Sequence, residues 1–413
     1  MLFLSIIIFL FFFYFTYHKP VIALAILAGL LPTYLIRFNL FGVPVTFLEI
    51  IILSIFTGWF IFFRHSDLIK KRLSKIRIPL ILFFLASVIA VIIAPDKISA
   101  LGIWKAYFFE AGLIFFLIIA LVHNRKDFSH IVFGLSISAL LISLYAIAQK
   151  FLGFPIPYKW ASELRATSIF PYPNAVGLYL APIILLMINE GIADIKKIKL
   201  SAYFILTSIL ALIAIAVAQS DGALIGLAVG LFIFIILHVL VKGRYKTGIA
   251  IIILVLVIAS LTFSLVAPVK DKIMLKDWSG MVRFTIWGET WNMLRDNFIF
   301  GAGLDGYKIK IWPYHESYQW MEVFLYPHNI IFNFWSELGL LGVASFIWLI
   351  SSFYKTCYLL IKKERVFIIT AISAMIVLLV HGLVDVPYFK NDLSILFWII
   401  FSMPFIGIKE ERD

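Results

Sequence analysis

Apolar runs divide this chain from end to end. They fall roughly at 2–17, 21–36, 45–63, 78–94, 103–122, 129–149, 172–189, 201–219, 222–241, 247–266, 328–351, 366–385 and 392–408. A helix made from such a run approaches the ~30 Å hydrocarbon core of a bilayer, and in lipid the backbone must satisfy its own hydrogen bonds. Of the 413 residues 63% are hydrophobic and 14% are charged, whereas a soluble domain carries about a quarter charged residues. The sequence therefore predicts an all-α, polytopic integral membrane protein of about 12–13 transmembrane helices, forming a single membrane domain over 1–413. The first two runs are short and form either an imperfect pair of spans or one tilted hairpin. The opening MLFLSIIIFLFFFYF lacks a basic n-region, and no small-residue cleavage site follows it, so it reads as a retained helix.

The net charge of +12 is explained by position and does not point to nucleic acid. Lys and Arg gather in RHSDLIKKRLSKIR (64–77), HNRKDF (123–128), KKIK (196–199), KGRYK (242–246) and KKER (362–365). These five loops lie on one side of the membrane if the spans alternate, which makes that side cytoplasmic and puts the C-terminal KEERD with it. Most connections on the other side are tiny. Two are not: a medium outer loop at 150–171, and an outer loop at 267–327 too long to be a passive connector. The chemistry is expected there.

In the long loop, DWSGMVRFTIWGETWNMLRDN (277–297) has helical spacing, with Arg283 and Trp287 as i, i+4 neighbours and Trp291 and Arg295 further along. Its many aromatics suit a helix on the membrane surface. FIFGAGLDGY (298–307) is turn chemistry. Six tryptophans fall on the outer face: Trp160, Trp278, Trp287, Trp291, Trp312 and Trp320. They form either an interfacial belt or a surface for sugar rings.

Four kinds of residue are candidates for chemistry. His328 opens the 328–351 run, where a helix dipole keeps an imidazole neutral and usable as a base; an interfacial or capping histidine is the plainer reading. Asn329 follows it as a possible substrate contact. Arg283 and Arg165 are outer-face arginines among aromatics, where a pair of guanidinium forks suits a diphosphate and headgroup snorkelling is the alternative. Lys105, Arg295, Lys308 and Lys310 are weaker cations of the same kind. Glu49, Glu110, Glu337 and Asp385 lie within or beside apolar runs, where a carboxylate marks a functional cavity or an internal ion pair. No GxxxxGK[ST], HExxH or metal-spaced cluster occurs, and the single Cys357 can form no internal disulfide. No metal and no cofactor is expected.

PHNIIFNFWSELGLLG, with a histidine followed at eleven residues by a glycine (His328, Gly339), resembles the signature of the O-antigen ligase / O-antigen polymerase superfamily. RFTIWGETWNMLRDNFIFGAGLDGY, with Asp296, Gly301 and Gly303, and RATSIFPYPNAVGLYL are similar to that family's two arginine-bearing outer stretches. The resemblance implies a glycosyltransferase of the cytoplasmic (inner) membrane. It would move a glycan from a polyprenyl-diphosphate carrier to a glycan or lipid-linked acceptor on the outer face, with inversion and without metal. It implies that His328 is the base and that Arg283 and Arg165 hold the diphosphate, with Arg295, Trp287, Trp291, Asn329 and Lys105 as possible substrate contacts. Ligase and polymerase differ in the acceptor; one large and one medium outer loop favours the ligase. A transporter or flippase of lipid-linked sugars is the alternative of a different class. One departure from the family's pattern is Gln219-Ser220-Asp221-Gly222, where many relatives carry a basic residue after the serine.

Overall fold

The computed structural model describes residues 2–40, 42–63, 67–193, 198–252, 254–255, 277–315 and 325–406. The apolar runs become the helices α1 (Leu2–His18), α2 (Pro20–Gly29), α3 (Phe47–Phe62), α4 (Arg77–Ile93), α5 (Lys97–Leu121), α6 (Arg125–Phe151), α7 (Asn174–Ala193), α8 (Ile198–Val217) and α9 (Asp221–Val241). After the loop helix α10 (Trp278–Asp296) come α11 (Ile330–Leu360), α12 (Arg365–His381) and α13 (Asn391–Ile406). Among the described residues six are long and apolar enough to cross a membrane, and six shorter apolar helices accompany them, so the protein is a multi-pass membrane protein. The run 247–266, part of the long loop, Trp320 and KEERD lie largely or wholly outside the described residues.

Local chemistry sets the helix ends. Asp96, Asn124, Asp277 and Asn329 cap α5, α6, α10 and α11 by accepting from backbone N–H groups. Thr46 and Glu49 form a reciprocal capping box at α3. The second apolar run behaves differently from a full span. Its helix stops at Gly29 after ten residues, about 15 Å, and Pro32 continues it as a 3₁₀ turn over Leu31–Leu35. A β-hairpin follows, Arg37–Leu40 paired antiparallel with Val43–Thr46, which the helical reading did not anticipate. Its strands are too short for periodicity to show them beside the long runs.

Two helices form the centre. All sixteen residues of α13 are buried, and α7 is buried over most of its length between α6, α8, α9 and α12. Helices apolar all round belong in such a core. At one end of the bundle Arg72 donates to the carbonyls of Ile119 and Val122, and Arg365 to that of Val241. The basic loops lie at this end. The opposite end carries the starts of α7 and α13 and the long loop.

α11 is broken at Gly339 (φ 70°, ψ −170°). The loop after α10 plugs the break. Leu340 N–H donates to Ile299 O at 2.9 Å, Ala302 N–H donates to Ser336 O, and the Glu337 carboxylate accepts from the Asp305 N–H. Glu337 is thus a buried anchor for the glycine-rich turn. A Cβ on Gly339 would lie 2.4 Å from Ile299 O in a left-handed conformation. Gly339→Ala is expected to destabilise the protein by about 2 kcal/mol or more, read as a lowered midpoint of thermal unfolding in detergent. Gly102→Ala, with open space around its Cβ, should leave that midpoint unchanged or raise it.

Candidate active site

The site is assembled by a turn far along the chain. Four consecutive residues after α12 each receive a contact from another element. Gly382 O accepts from the Ile330 N–H at 2.7 Å. Leu383 O accepts from the Asn329 amide at 3.0 Å, and Val384 O from Arg283 Nε at 2.9 Å. The Asp385 carboxylate faces His328 Nδ1 at 3.5 Å and accepts from the Asn174 amide at 3.0 Å.

His328 stands one residue ahead of the helix cap, with φ +48°. The helix starts at Ile330 with Asn329 as its cap, so Pro327 precedes the helix and does not form its first turn. Trp287 Nε1 donates to Pro327 O at 2.9 Å, fixing the approach from α10. The Tyr326 ring lies against the imidazole, centroids 4.5 Å apart.

A cavity of about 240 Å³ opens beside His328 and Asp385, lined also by Arg165, Trp160, Tyr172, Asn174 and Tyr326. Arg165 reaches it from the medium loop, which the buried Gln149 at the end of α6 pins by accepting from the Thr167 and Ser168 N–H groups at 2.9 and 2.7 Å. Its guanidinium donates to Ala218 O, Gln219 O and Asn174 Oδ1, within 3.2–3.3 Å, and lies 5.2 Å from the Trp160 ring centre. The Gln219–Gly222 turn, where the family's pattern is broken, thus supplies a carbonyl to Arg165. Arg165, Asn174, Asp385 and His328 form one continuous polar chain.

Both arginines are held mainly by neutral oxygens. Arg283 donates to Val384 O and to the backbone and hydroxyl oxygens of Ser279. Among the described residues the one carboxylate paired with Arg165 is the exposed Glu163 at 3.7 Å. Their charge is therefore left for a ligand, and a fork of donors suits phosphoryl oxygens. For Asp385, burial alone would raise the carboxyl, but the facing His328 imidazole, His381 and the Val386 N–H outweigh it and hold the group well below the usual carboxylate range. Burial, aided by the charge of Asp385, pushes the Tyr326 phenol well above its ordinary value against a hydrogen bond from Tyr172, so it stays a neutral donor.

The other candidates separate from this group. Lys105 is tied to Glu49 at 2.9 Å and to Pro44 O at 3.1 Å, an internal pair away from the cavity. Arg295 is exposed on α10, twelve residues and about 18 Å of helix beyond Arg283. Trp291 packs edge-on against Trp335, with centroids 5.9 Å apart. Both functions of the Asn329 amide are spent on the cap and on Leu383. Lys308 pairs with Asp305 at 2.7 Å, and Lys310 donates to Asn297 and Gly301 O. Among the described residues no three His, Cys, Asp or Glu side chains gather as metal ligands. Asn174 lies in the RATSIFPYPNAVGLYL stretch but was not singled out there, Gln149 carried no motif, and Asp385 had shown only as an acid beside an apolar run.

The depressed Asp385 group adds stability above its unfolded value, near 3.8, and loses it only as the pH falls through the lower folded value. It stays ionised throughout the neutral range. Asp385→Asn is therefore expected to lower activity about 10²-fold or more at every pH from about 5 to about 9. A full pH–rate profile checks this.

Residues 206–347 match the family model described as O-antigen ligase. The matched stretch, roughly a third of the chain, runs from α8 past the break in α11 and contains Arg283, Trp287, His328 and Gly339. A search of the curated proteins finds no match. The family match, carried on a helical membrane-spanning fold, supports an O-antigen ligase-like protein of the ligase/polymerase superfamily.

Proposed function

We propose that the protein transfers a glycan from a polyprenyl-diphosphate carrier to an acceptor hydroxyl at the outer face of the cytoplasmic membrane. The observation that carries this reading is the pairing of His328 with Asp385 beside a cavity that also holds an arginine not neutralised by a buried acid. With the Asp385 carboxylate facing Nδ1 at 3.5 Å, the tautomer protonated at Nδ1 is favoured and Nε2 is the basic nitrogen. The acceptor oxygen attacks the anomeric carbon and gives its proton to Nε2. The bond from that carbon to the diphosphate breaks, and the polyprenyl diphosphate leaves with the electron pair. Arg165 and Arg283 offset the charge that grows on the leaving group. A single displacement inverts the anomeric centre. The ligase differs from the polymerase only in the acceptor, which is a second lipid-linked glycan in the polymerase.

The basic loops at the end opposite the cavity support an outward-facing site. In a protein carrying Cys357→Ser, a cysteine at Glu163 should react with an impermeant maleimide added to intact cells, and one at Lys126 should not. The reverse pattern would overturn the orientation. In reconstituted vesicles with a polyprenyl-diphosphate glycan, His328→Ala should slow transfer by about 10²–10⁴-fold, and Arg283→Ala and Arg165→Ala each by about 10²–10³-fold. Normal levels of each variant in the membrane should accompany the loss. EDTA should leave the wild-type rate unchanged; full activity of the His328 variant would sink the mechanism.

A further inference from the structure

Three basic side chains share one arrangement, and two of them, Arg165 and His328, line the cavity. Arg165 lies over Trp160, and the His328 ring lies against Tyr326. The third is Lys390, whose ammonium sits 3.7 Å from the centre of the Tyr172 ring. Tyr172 is a wall of the His328 cavity, as Tyr326 is. Lys390 ends the connection that begins at Gly382 and precedes α13, five residues from Asp385.

Lys390 is half-buried, yet its ammonium makes no hydrogen bond and has no carboxylate within 4 Å among the described residues. Lys105 and Lys308, by contrast, each hold a carboxylate. An ammonium carries three donors, and withdrawing it from water with none of them spent is unfavourable. The aromatic face returns only part of that loss. Such a cation is completed by an anion that arrives from outside.

We infer that Lys390 is a third substrate-binding cation of this site, donating to a phosphoryl oxygen of a lipid-linked substrate along the Tyr172 wall. This rests on the reading of the cavity as a phosphate site. The phosphate is that of the donor's diphosphate or one carried by the acceptor. The groups around Lys390 are Tyr172 just ahead of α7, Arg37 of the hairpin, Asp392 of α13 and Asp385 of its own connection. Burial lowers its pKa to about 8, opposed by the charges of Asp392 and Asp385 and assisted by Arg37. Its charge is lost as the pH rises through that value, and the grip on phosphate goes with it.

The test uses the full-length protein in vesicles, with donor and acceptor varied in turn from about pH 6.5 to about 9.5. Lys390→Met should raise one KM about tenfold or more with little change in kcat. An effect on the donor KM identifies the donor's diphosphate, and one on the acceptor KM identifies the acceptor's phosphate. Lys390→Arg should restore the low KM and abolish its rise above about pH 8. Independently of any variant, acylation of Lys390 in the wild-type protein, followed by peptide mass spectrometry, should be slowed by the donor or by the acceptor. Unchanged values of both KM in Lys390→Met overturn the inference, as does a failure of both substrates to protect. His328→Ala and Arg283→Ala run alongside. Normal transfer in those variants removes the phosphate-site reading itself, whereas their inactivity beside an unaffected Lys390→Met removes only the role of Lys390.

Discussion

The turn from Gly382 to Asp385 holds the site together. Three successive carbonyls and one carboxylate receive the Ile330 N–H, Asn329, Arg283, and both His328 and Asn174. These partners come from the loop before α11, from α10 and from the start of α7. A left-handed backbone at His328 is unfavourable for a residue with a side chain. It persists because Pro327 O is tied by Trp287 on one side while Asn329 and Ile330 are tied on the other. The imidazole is thereby fixed against Asp385 by backbone contacts, and its position does not depend on its own weak pairing.

What each cation touches separates structural from ligand-binding charge. Lys105 and Lys308 lie against carboxylates, and each pair is closed. Arg283 is held by carbonyl and hydroxyl oxygens, Arg165 by carbonyl and amide oxygens with only an exposed carboxylate nearby, and Lys390 by an aromatic face. Neutral acceptors orient a guanidinium without cancelling its charge. The aromatic residues accordingly have a use beyond the interfacial belt: Trp160, Tyr172 and Tyr326 each present a face to a cationic or basic side chain.

The glycine-rich turn and the break in α11 are two halves of one joint. Gly339 interrupts the helix, Ile299 and Ala302 bond to the backbone groups around the break, and Glu337 accepts from the turn. The spacing from His328 to Gly339 therefore links the cavity to the joint that seats the long loop. A carboxylate within an apolar helix is tolerable when backbone donors satisfy it, and that is the position of Glu337.

The sequence by itself determined the membrane class, most of the helices, the two ends of the bundle by charge, and His328, Arg165 and Arg283 as residues of interest. These are local quantities: the length of an apolar run, the sign of a loop, a motif of contiguous residues. It did not show that the second run stops at Gly29, that a hairpin follows, or that Lys105, Arg295 and Trp291 lie apart from His328. Only the tertiary structure decided that Asp385 faces His328, that Asn174 links it to Arg165, that Gln149 pins the medium loop, and that Lys390 has an aromatic face and, among the described residues, no carboxylate within 4 Å. The physical reason is sequence distance. These contacts join residues tens to hundreds of positions apart, and nothing in the composition of either partner records which other helix end will stand beside it once α7 and α13 are buried at the centre.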